Sequence, residues 1–455
     1  MSQVHEAVEK ALAASKSDEC IVIGQESSTA NLRWANNTVT TNGVTSDNEI
    51  LVISVKDKRV GSIGRNFFPE ERIEDLVRES EDACDGKPQA EDYMPLLEGD
   101  AKANDWDAPV SQTGIEALDG LTSSLGPMLR KADTSDTKLF GYAEHRMVTT
   151  YLATSTGVRR RYDHQQGQVE LNAKSPDFGR SVWTGQTTKD FSDVDLDTHF
   201  ERLQQKMKWS EKTISLEPGQ YEVLLEPSAV ADMLLYAYWT SSARDADEGR
   251  SVFSAPGGGN RIGERMYADS VNIYSDAMEK GYEVAPFLVM PQSTSYFSLF
   301  DNGLESGRVD WVKDGTQNAL ITTRYWAEKT KGKPTPYVQN LIFPGDGPSL
   351  DDMISSTERA LLVTCFWYIR VVDPQTLLLT GLTRDGVFLV EGGEVKGAVN
   401  NFRYNESPVD MLASVTEVGR SESTLAREFG DYFTFIQTPP LRVEKFNMSS
   451  VSQAT

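Results

Sequence analysis

The second half of this sequence is divided by glycine-containing turns that leave room only for short strands. Hairpin signals occur at Asp301-Asn302-Gly303, Lys313-Asp314-Gly315, Arg384-Asp385-Gly386 and Glu391-Gly392-Gly393-Glu394. Asp-Gly and Gly-Gly steps favour the tight turns that join antiparallel strands. Because few helical patterns interrupt these strands, we predict a mostly antiparallel sheet from Leu216 onwards.

The first half mixes helical and strand patterns. Apolar residues spaced three or four apart predict helices over Val4–Ala14, Pro69–Ala83, Gly114–Lys131 and Asp195–Lys208, and a further helix over Pro227–Tyr236. Alternating or apolar runs predict strands at Cys20–Gly24, Asn31–Val44, Glu49–Val55, Arg59–Ile63, Lys138–Tyr142, Arg146–Ala153, Val158–Asp163, Tyr221–Leu225 and Ala360–Val372. The whole chain is therefore predicted to have an α+β fold.

Domain boundaries are suggested by breaks in these patterns. Residues Asp85–Asp107 are rich in charged residues, proline and glycine and show no periodicity, so we predict a linker or long surface connection. A chain of 455 residues can form two or three domains, each with its own core. We predict an N-terminal α/β unit over residues 1–95, a second α/β unit over 108–212 and a β-rich C-terminal domain over 216–455.

Charge and composition restrict the environment and the partners. The formal net charge of −23 disfavours binding to nucleic acid and to anionic membranes. The N-terminal residues lack the basic start and the apolar core of a signal peptide, and no apolar run is long enough to span a bilayer. Three widely separated cysteines suit a reducing compartment. We therefore expect a cytoplasmic protein.

The inventory of catalytic side chains is small. The four histidines show neither HExxH nor HExxxH spacing and are expected to be structural. The glycines at 257–259 lack the Lys-Ser/Thr step of a phosphate-binding loop. The acids Asp245, Asp247 and Glu248 lack the spacing of a calcium loop, which favours a solvated segment. Cys365 lies among apolar residues without an adjacent base and is expected to be an inert core thiol.

A family resemblance extends over most of the chain and is clearest in the last 240 or so residues. No single motif is specific, but their order and spacing are similar to those of the TldD/TldE (PmbA, modulator-of-gyrase) family of metalloproteases. The motifs are LEPGQYEVLLEPSAVADML, GRSVFS, RIGERMYADSVNIYSDA, SLFDNGLES, WVKDGTQNALITTRYWA, PYVQNLIFPGDGPSLDDMI, LTRDGVFLVEGGEVKGAVNNFRYNESPVDMLASVTEVG and PPLRVEKFNMS. RWANNTVTTNGV, at residues 33–44, extends the resemblance into the first half.

The resemblance also indicates what this chain lacks. In the catalytic branch of the family, a HExxxH helix before the SVF-type strand supplies two zinc ligands and a glutamate base, and a later cysteine completes the ligand set. An alignment without gaps on Ser251-Val252-Phe253 puts the histidines at Leu234 and Trp239 and the glutamate at Leu235. The last cysteine is Cys365. The resemblance therefore implies a TldE-like member with no cofactor of its own, zinc being expected on a partner subunit.

Three functions are compatible with this sequence. The first is a non-catalytic subunit that pairs with a HExxxH-bearing TldD-like subunit and helps to enclose unfolded or small peptides. The second is a homodimer that binds peptides without cutting them. The third is a hydrolase that uses other residues lining a cleft near the vacated site: Arg244, Asp245, Asp247 and Glu248. Whether the chain forms heterodimers or homodimers is left open by the sequence.

Overall fold

The computed structural model describes residues 4–66, 69–99, 102–433 and 435–452, and it confirms the α+β class. The helices are α1 (Val4–Ala14), α2 (Ile73–Asp82), α3 (Asp119–Thr134), α4 (Leu196–Trp209), α5 (Pro227–Trp239), α6 (Ala243–Asp247), α7 (Arg324–Thr330), α8 (Leu350–Ser355) and α9 (Pro408–Ala413). Short 3-10 helices occur at Glu70–Arg72, Ile115–Leu118 and Leu299–Asp301.

Strands form three sheets. They are β1 (Glu19–Ala35), β2 (Thr38–Lys56), β3 (Arg59–Arg65), β4 (Lys138–Thr154), β5 (Arg159–Lys174), β6 (Ser181–Thr188), β7 (Thr213–Ile214), β8 (Gly219–Leu225), β9 (Ile273–Ser275), β10 (Val309–Lys313), β11 (Thr316–Gln317), β12 (Asn340–Ile342), β13 (Arg359–Asp373), β14 (Leu378–Glu391), β15 (Glu394–Val399), β16 (Phe402–Glu406), β17 (Val415–Val418), β18 (Glu422–Thr424), β19 (Phe435–Thr438) and β20 (Leu441–Val451).

The N-terminal sheet is antiparallel and has the order β3-β2-β1-β4-β5-β6. Strands β1 and β4 pair from Ile21–Thr154 to Trp34–Gly141, so one sheet spans the two predicted N-terminal units. On one face, residues such as Val22 and Leu32 pack under helices α1 to α4. The opposite face carries Ile21 and Ile23, which pack against Phe287 and Phe300 of the C-terminal half. The proposed domain boundaries remain a prediction.

The C-terminal half contains the other two sheets. The larger one has eight strands, with the path β13-β8-β20-β16-β14-β15-β7 and β17 paired to β20. The smaller one has the order β11-β10-β9-β12-β19-β18. Most pairings are antiparallel as predicted, while β8–β13, β7–β15 and β12–β19 are parallel. Helix α5 packs against β13 of one sheet and β19 of the other.

Residues 31–35 and 38–44 of the strand predicted over Asn31–Val44 are confirmed as strand, but they belong to two strands, because the chain reverses at Asn36 and Asn37. Both residues have left-handed φ angles, 51° and 63°, which asparagine tolerates better than most residues do. The Asn37 amide donates to the Thr137 carbonyl at 2.8 Å and accepts from the Leu139 N–H at 2.6 Å. These bonds fix the turn against the start of β4. The Asn42-Gly43 step lies inside β2 instead.

Two of the four predicted hairpin turns are confirmed. Asp314-Gly315 joins β10 to β11, and Gly392-Gly393 joins β14 to β15. The hairpin predicted at Arg384-Asp385-Gly386 is wrong, since Asp385 and Gly386 form a bulge within β14 with φ angles of 50° and 131°. Asp301-Asn302-Gly303 is also not a hairpin loop, because it follows the 3-10 helix Leu299–Asp301.

The described residues of the predicted linker over Asp85–Asp107, 85–99 and 102–107, are irregular but lie close against the N-terminal sheet. Trp106 is buried among residues of α1 and β4, and the Leu96 N–H donates to Glu19 Oε1 at 2.9 Å. The strands predicted at Lys138–Tyr142 and Arg146–Ala153 are one continuous strand, β4. Within the described ranges, no helix combines the length and apolar character needed to cross a membrane.

Candidate functional site

Helix α5 is apolar on nearly every side. Its sequence, PSAVADMLLYAYW, begins with proline at the first helical position, where a missing N–H costs no hydrogen bond. The buried residues are Pro227, Ser228, Ala229, Val230, Ala231, Asp232, Met233, Leu234, Leu235 and Tyr238. A helix that is hydrophobic all round belongs in a protein interior. Packing between two sheets therefore determines the environment of every side chain on α5.

Asp232 is the one carboxyl on this helix and is fully buried. It accepts hydrogen bonds from the Glu428 N–H at 3.1 and 3.3 Å, and burial raises its pKa well above the usual range. The Ser228 hydroxyl, one turn earlier, donates to the Leu425 carbonyl at 2.8 Å. Both polar side chains thus attach the segment around residues 425–428 to α5.

A cavity of about 450 Å³ lies between the N-terminal sheet and the C-terminal half. The sheet contributes the side of the cavity opposite helices α1 to α4, and irregular segments of the C-terminal half contribute the rest. The lining residues are Gln25, Arg146, Val148, Thr150, Tyr162, His164 and Gln166 from the sheet, and Ala285, Phe287, Leu288, Val289, Met290, Tyr337, Gln339, Asp431 and Tyr432 from the C-terminal half. Its size suits a small molecule or a short stretch of peptide.

Burial keeps two titratable side chains of the cavity, His164 and Tyr162, neutral at pH 7. Burial lowers the pKa of His164 to about 4 and raises that of Tyr162 to about 12. His164 shares a hydrogen bond of 3.0 Å with Gln166, and its ring meets the edge of Phe435 at 5.0 Å. The buried Nε of Arg146 has no hydrogen-bond partner among the described residues. The lining is therefore polar, and Arg146 and Asp431 are its charged residue types.

One wall of the cavity is an extended segment, residues 285–290. The Leu288 N–H donates to the Leu304 carbonyl at 2.9 Å, and the Leu288 carbonyl accepts from the Gly303 N–H at 2.9 Å. In an extended chain the backbone groups of neighbouring residues point to opposite edges. The N–H and C=O groups of Phe287 and Val289 therefore lie on the other edge, where no described residue pairs with them. This wall has an open strand edge.

Tyr337 connects the cavity to helix α5. Its ring lines the cavity and stacks on Tyr238 with a centroid distance of 5.1 Å and an interplanar angle of 19°. Burial raises the pKa of Tyr337, and a hydrogen bond with the Trp239 side chain partly opposes that rise. The C-terminal end of α5 is thus one side-chain layer behind the cavity wall.

The four residues predicted near a cleft form a network of ion pairs and hydrogen bonds around α6. Arg244 donates to Glu91 at 2.8 Å and pairs with Glu248, and Arg250 donates to Asp245 at 2.6 Å. Asp247 accepts from Trp326 Nε1 at 2.7 Å and from Asn260 Nδ2 at 2.8 Å. None of the four is among the residues that line the 450 Å³ cavity. Their partners join α6 to neighbouring segments.

Three of the four histidines form hydrogen bonds through their rings, His145 and His199 at both nitrogens and His164 at one. His145 contacts Thr113 Oγ1 at 2.6 Å and Gln165 at 3.1 Å, and His199 contacts Thr184 Oγ1 at 3.0 Å and Gln186 at 3.1 Å. His164 is the one that reaches the cavity. Among the described residues, no group of three or more His, Cys, Asp and Glu side chains is placed to hold a metal ion.

The C-terminal half of the chain matches a known protein family. Residues 218–450, slightly more than half of the chain, match the PmbA/TldA metallopeptidase C-terminal domain. The chain belongs to the TldD/TldE (PmbA) family. No curated protein sequence matches it.

Solved structures of family relatives share the fold over nearly the whole chain. TldE from Thermococcus kodakarensis aligns with a TM-score of 0.78 at 15% identity and covers 97% of this chain and 98% of its own. A Thermotoga maritima protein described as a modulator of a DNA gyrase aligns with a TM-score of 0.77 at 15% identity, over 98% of this chain and 100% of its own. At these identities the likeness concerns the fold.

The three positions that the sequence alignment assigns to the family's zinc ligands and glutamate lie in or beside packed core. Leu234 and Leu235 are 2% and 0% exposed, and their side chains offer no lone pair to a metal. Trp239 is partly buried and meets the ring of Phe429 at 5.1 Å. These three residues do not fit a zinc ion. Cys365, the last cysteine, is buried in β13, and burial raises its pKa to about 12.

The sequence did not reveal the cavity itself. Its lining comes from segments more than 400 residues apart, and no local motif unites them. One available signal was the alternation in β5, where Tyr162, His164 and Gln166 lie on one face of a strand. No sequence pattern indicated that Tyr337 lines the cavity and stacks on Tyr238, because both contacts depend on how an irregular segment packs against α5.

Proposed function

We propose that this chain is the non-catalytic subunit of a cytosolic TldD/TldE-type peptidase, and that it pairs with a HExxxH-bearing relative that carries the zinc. The observation that supports this most is the contrast between Leu234, Leu235 and Trp239, which are apolar, and the cavity one side-chain layer away. A zinc hydrolase needs deprotonatable ligands and a base. Leu234, Leu235 and Trp239 offer neither, while the fold around them is complete.

The occupant that best suits the cavity is an extended peptide. The open backbone edge at Phe287 and Val289 provides donors and acceptors for strand addition, which recognises main chain rather than sequence. Amide side chains such as Gln25 and Gln339 add hydrogen-bonding groups without fixed charge. This chemistry suits a subunit that holds varied peptides for a metal site supplied by its partner.

The proposal is tested by purifying the tagged chain from its native cytosol at near-physiological salt. Partners present in stoichiometric amounts are identified by mass spectrometry, and zinc is measured in the eluate. We expect a HExxxH-bearing relative and about one zinc per pair. Recovery of this chain alone, without metal, would reject the pairing and favour a homodimeric peptide-binding protein.

A further inference from the structure

Arg146 places a cation in the wall of the 450 Å³ cavity without an anionic partner. The residue lies on β4 and is half-buried. Its guanidinium forms no hydrogen bond or ion pair with any described residue, and its Nε is buried. Because arginine stays charged at every physiological pH, the cavity contains a permanent positive charge.

Other arginines near this one in the same sheet have partners. Arg159 contacts Glu9 at 2.9 Å, and Arg161 contacts Asp163 at 3.0 Å. Both pairs hold a guanidinium against a carboxylate, which is the usual way to accommodate a partly buried arginine. Arg146 therefore differs from its neighbours in the partner that it lacks, rather than in its position on the sheet.

The side chains around Arg146 do not neutralise it. The residues paired with it on the neighbouring strands, Thr29 on β1 and Gln166 on β5, are uncharged. Glu144, two residues earlier on β4, accepts a hydrogen bond from a tyrosine hydroxyl of its own strand. Asp431 lines the cavity but forms no ion pair with Arg146. A partly buried charge without a counter-ion is costly, so this part of the cavity is complementary to an anionic ligand.

We propose that Arg146 binds the C-terminal carboxylate of a peptide held in this cavity. The planar guanidinium can donate two parallel N–H···O bonds to the two oxygens of a carboxylate. Burial lowers the pKa of His164 most, and the charge of Arg146 adds to this lowering, so the charge acts on groups inside the cavity. The inference rests on the proposed function in one respect, that the cavity holds a peptide, and it does not depend on the partner subunit.

Two features favour a chain end over an acidic side chain as the source of the carboxylate. The open edge at Phe287 and Val289 recognises main chain, which all peptides share, and a terminal carboxylate is equally independent of sequence. The cavity also has the size of a small-molecule pocket rather than of a long groove. A peptide that ends in the cavity can use both the backbone edge and Arg146. The expected ligands are therefore peptides with a free C-terminus, of varied sequence.

Isothermal titration calorimetry of the purified full chain tests the inference with three forms of one unstructured peptide. The first has a free C-terminal carboxylate and no other acid, the second has a C-terminal amide, and the third is the amide with one internal glutamate. We expect the free acid to bind at least about tenfold more tightly than either amide, because a hydrogen-bonded ion pair is lost in both. High salt should reduce the difference.

Variants assign the preference to Arg146. Arg146→Gln should bind the acid and the amide equally, with the affinity for the amide unchanged from that of the unsubstituted chain. Arg146→Lys keeps the charge but not the planar fork and should retain part of the preference. The control is Arg130→Gln, at an exposed arginine on α3 outside the cavity, which should leave the preference unchanged. Circular dichroism verifies that all three variants are folded.

Four results would each overturn the inference. They are equal affinities for the acid and the amide, an internal glutamate that restores the affinity of the amide, a preference that survives in Arg146→Gln, and no binding of any of the peptides. The purification of partners gives a separate answer. Recovery of this chain alone would reject the pairing, while a preference for the free acid that depends on Arg146 would still establish the carboxylate site.

Discussion

Helix α5 and the cavity beside it are neighbours with opposite chemistry. The helix is apolar, closely packed and fixed by two sheets, whereas the cavity is polar, open and lined by groups with few mutual bonds. Tyr337 touches both, stacking on Tyr238 while it lines the cavity. The difference teaches that closely packed apolar core and an open polar surface can lie on opposite sides of a single side chain, Tyr337.

The largest expected effect comes from placing a glutamate at Leu235, the position that the sequence alignment assigns to the family's glutamate. Leu235→Glu places a carboxyl at a site with 0% exposure and no partner, and should lower the free energy of unfolding by about 3–5 kcal/mol or more. Urea unfolding measures the loss. Leu235→Met, which conserves volume, should cost less than about 1.5 kcal/mol. A glutamate tolerated as well as methionine would show that this part of α5 is not packed core.

A smaller effect is expected at the open edge of the cavity. Val289→Pro removes one N–H while the bonds of Leu288 remain, so the affinity for a fluorescein-labelled, unstructured peptide should fall two- to tenfold, or about 0.5–1.5 kcal/mol. Fluorescence anisotropy measures the binding. Val289→Ala keeps the amide and should change the affinity less. Equal losses in both variants would point to the side chain and against strand addition.

A further effect, of similar size, concerns His164 and pH. Because its pKa in the fold is about 4, below the ordinary value, the folded state binds fewer protons than the unfolded state between these values. Its contribution to stability is complete above about pH 6.5 and is lost as the pH falls towards 4.

His164→Gln should therefore lose less stability than the unsubstituted chain between pH 7.5 and 5, by on the order of 1–2 kcal/mol. Urea unfolding at the two pH values provides the comparison. Identical losses in the two proteins would mean that His164 titrates as an ordinary exposed histidine, and that the cavity is more open to water than the packing around Phe435 indicates.

The two regions also differ in how far the sequence predicts them. The spacing of apolar residues predicted α1 at its observed bounds and placed α5 to within three residues at its end. Periodicity reports a local pattern. Helix α5 is buried on nearly all sides because its own sequence is apolar on nearly all sides. The cavity depends on contacts between distant segments, which local patterns do not encode.

Turn residues show the same limit. Asp-Gly predicts a left-handed backbone at Asp385 and Gly386 correctly, but not whether the chain reverses there or continues as a bulge. The chain continues as β14, because β14 pairs with β13 on both sides of the bulge. Conversely, Asn36-Asn37 becomes the turn because Asn37 finds partners near β4, 100 residues away in the chain.

The central claim is that this chain contributes peptide binding without a metal of its own. The most direct measurement is equilibrium binding of a labelled peptide to the purified chain, with and without a zinc chelator, followed by mass spectrometry of the peptide. We expect the same dissociation constant in both conditions and an intact peptide. Cleavage by the purified chain that the chelator abolishes would contradict the account.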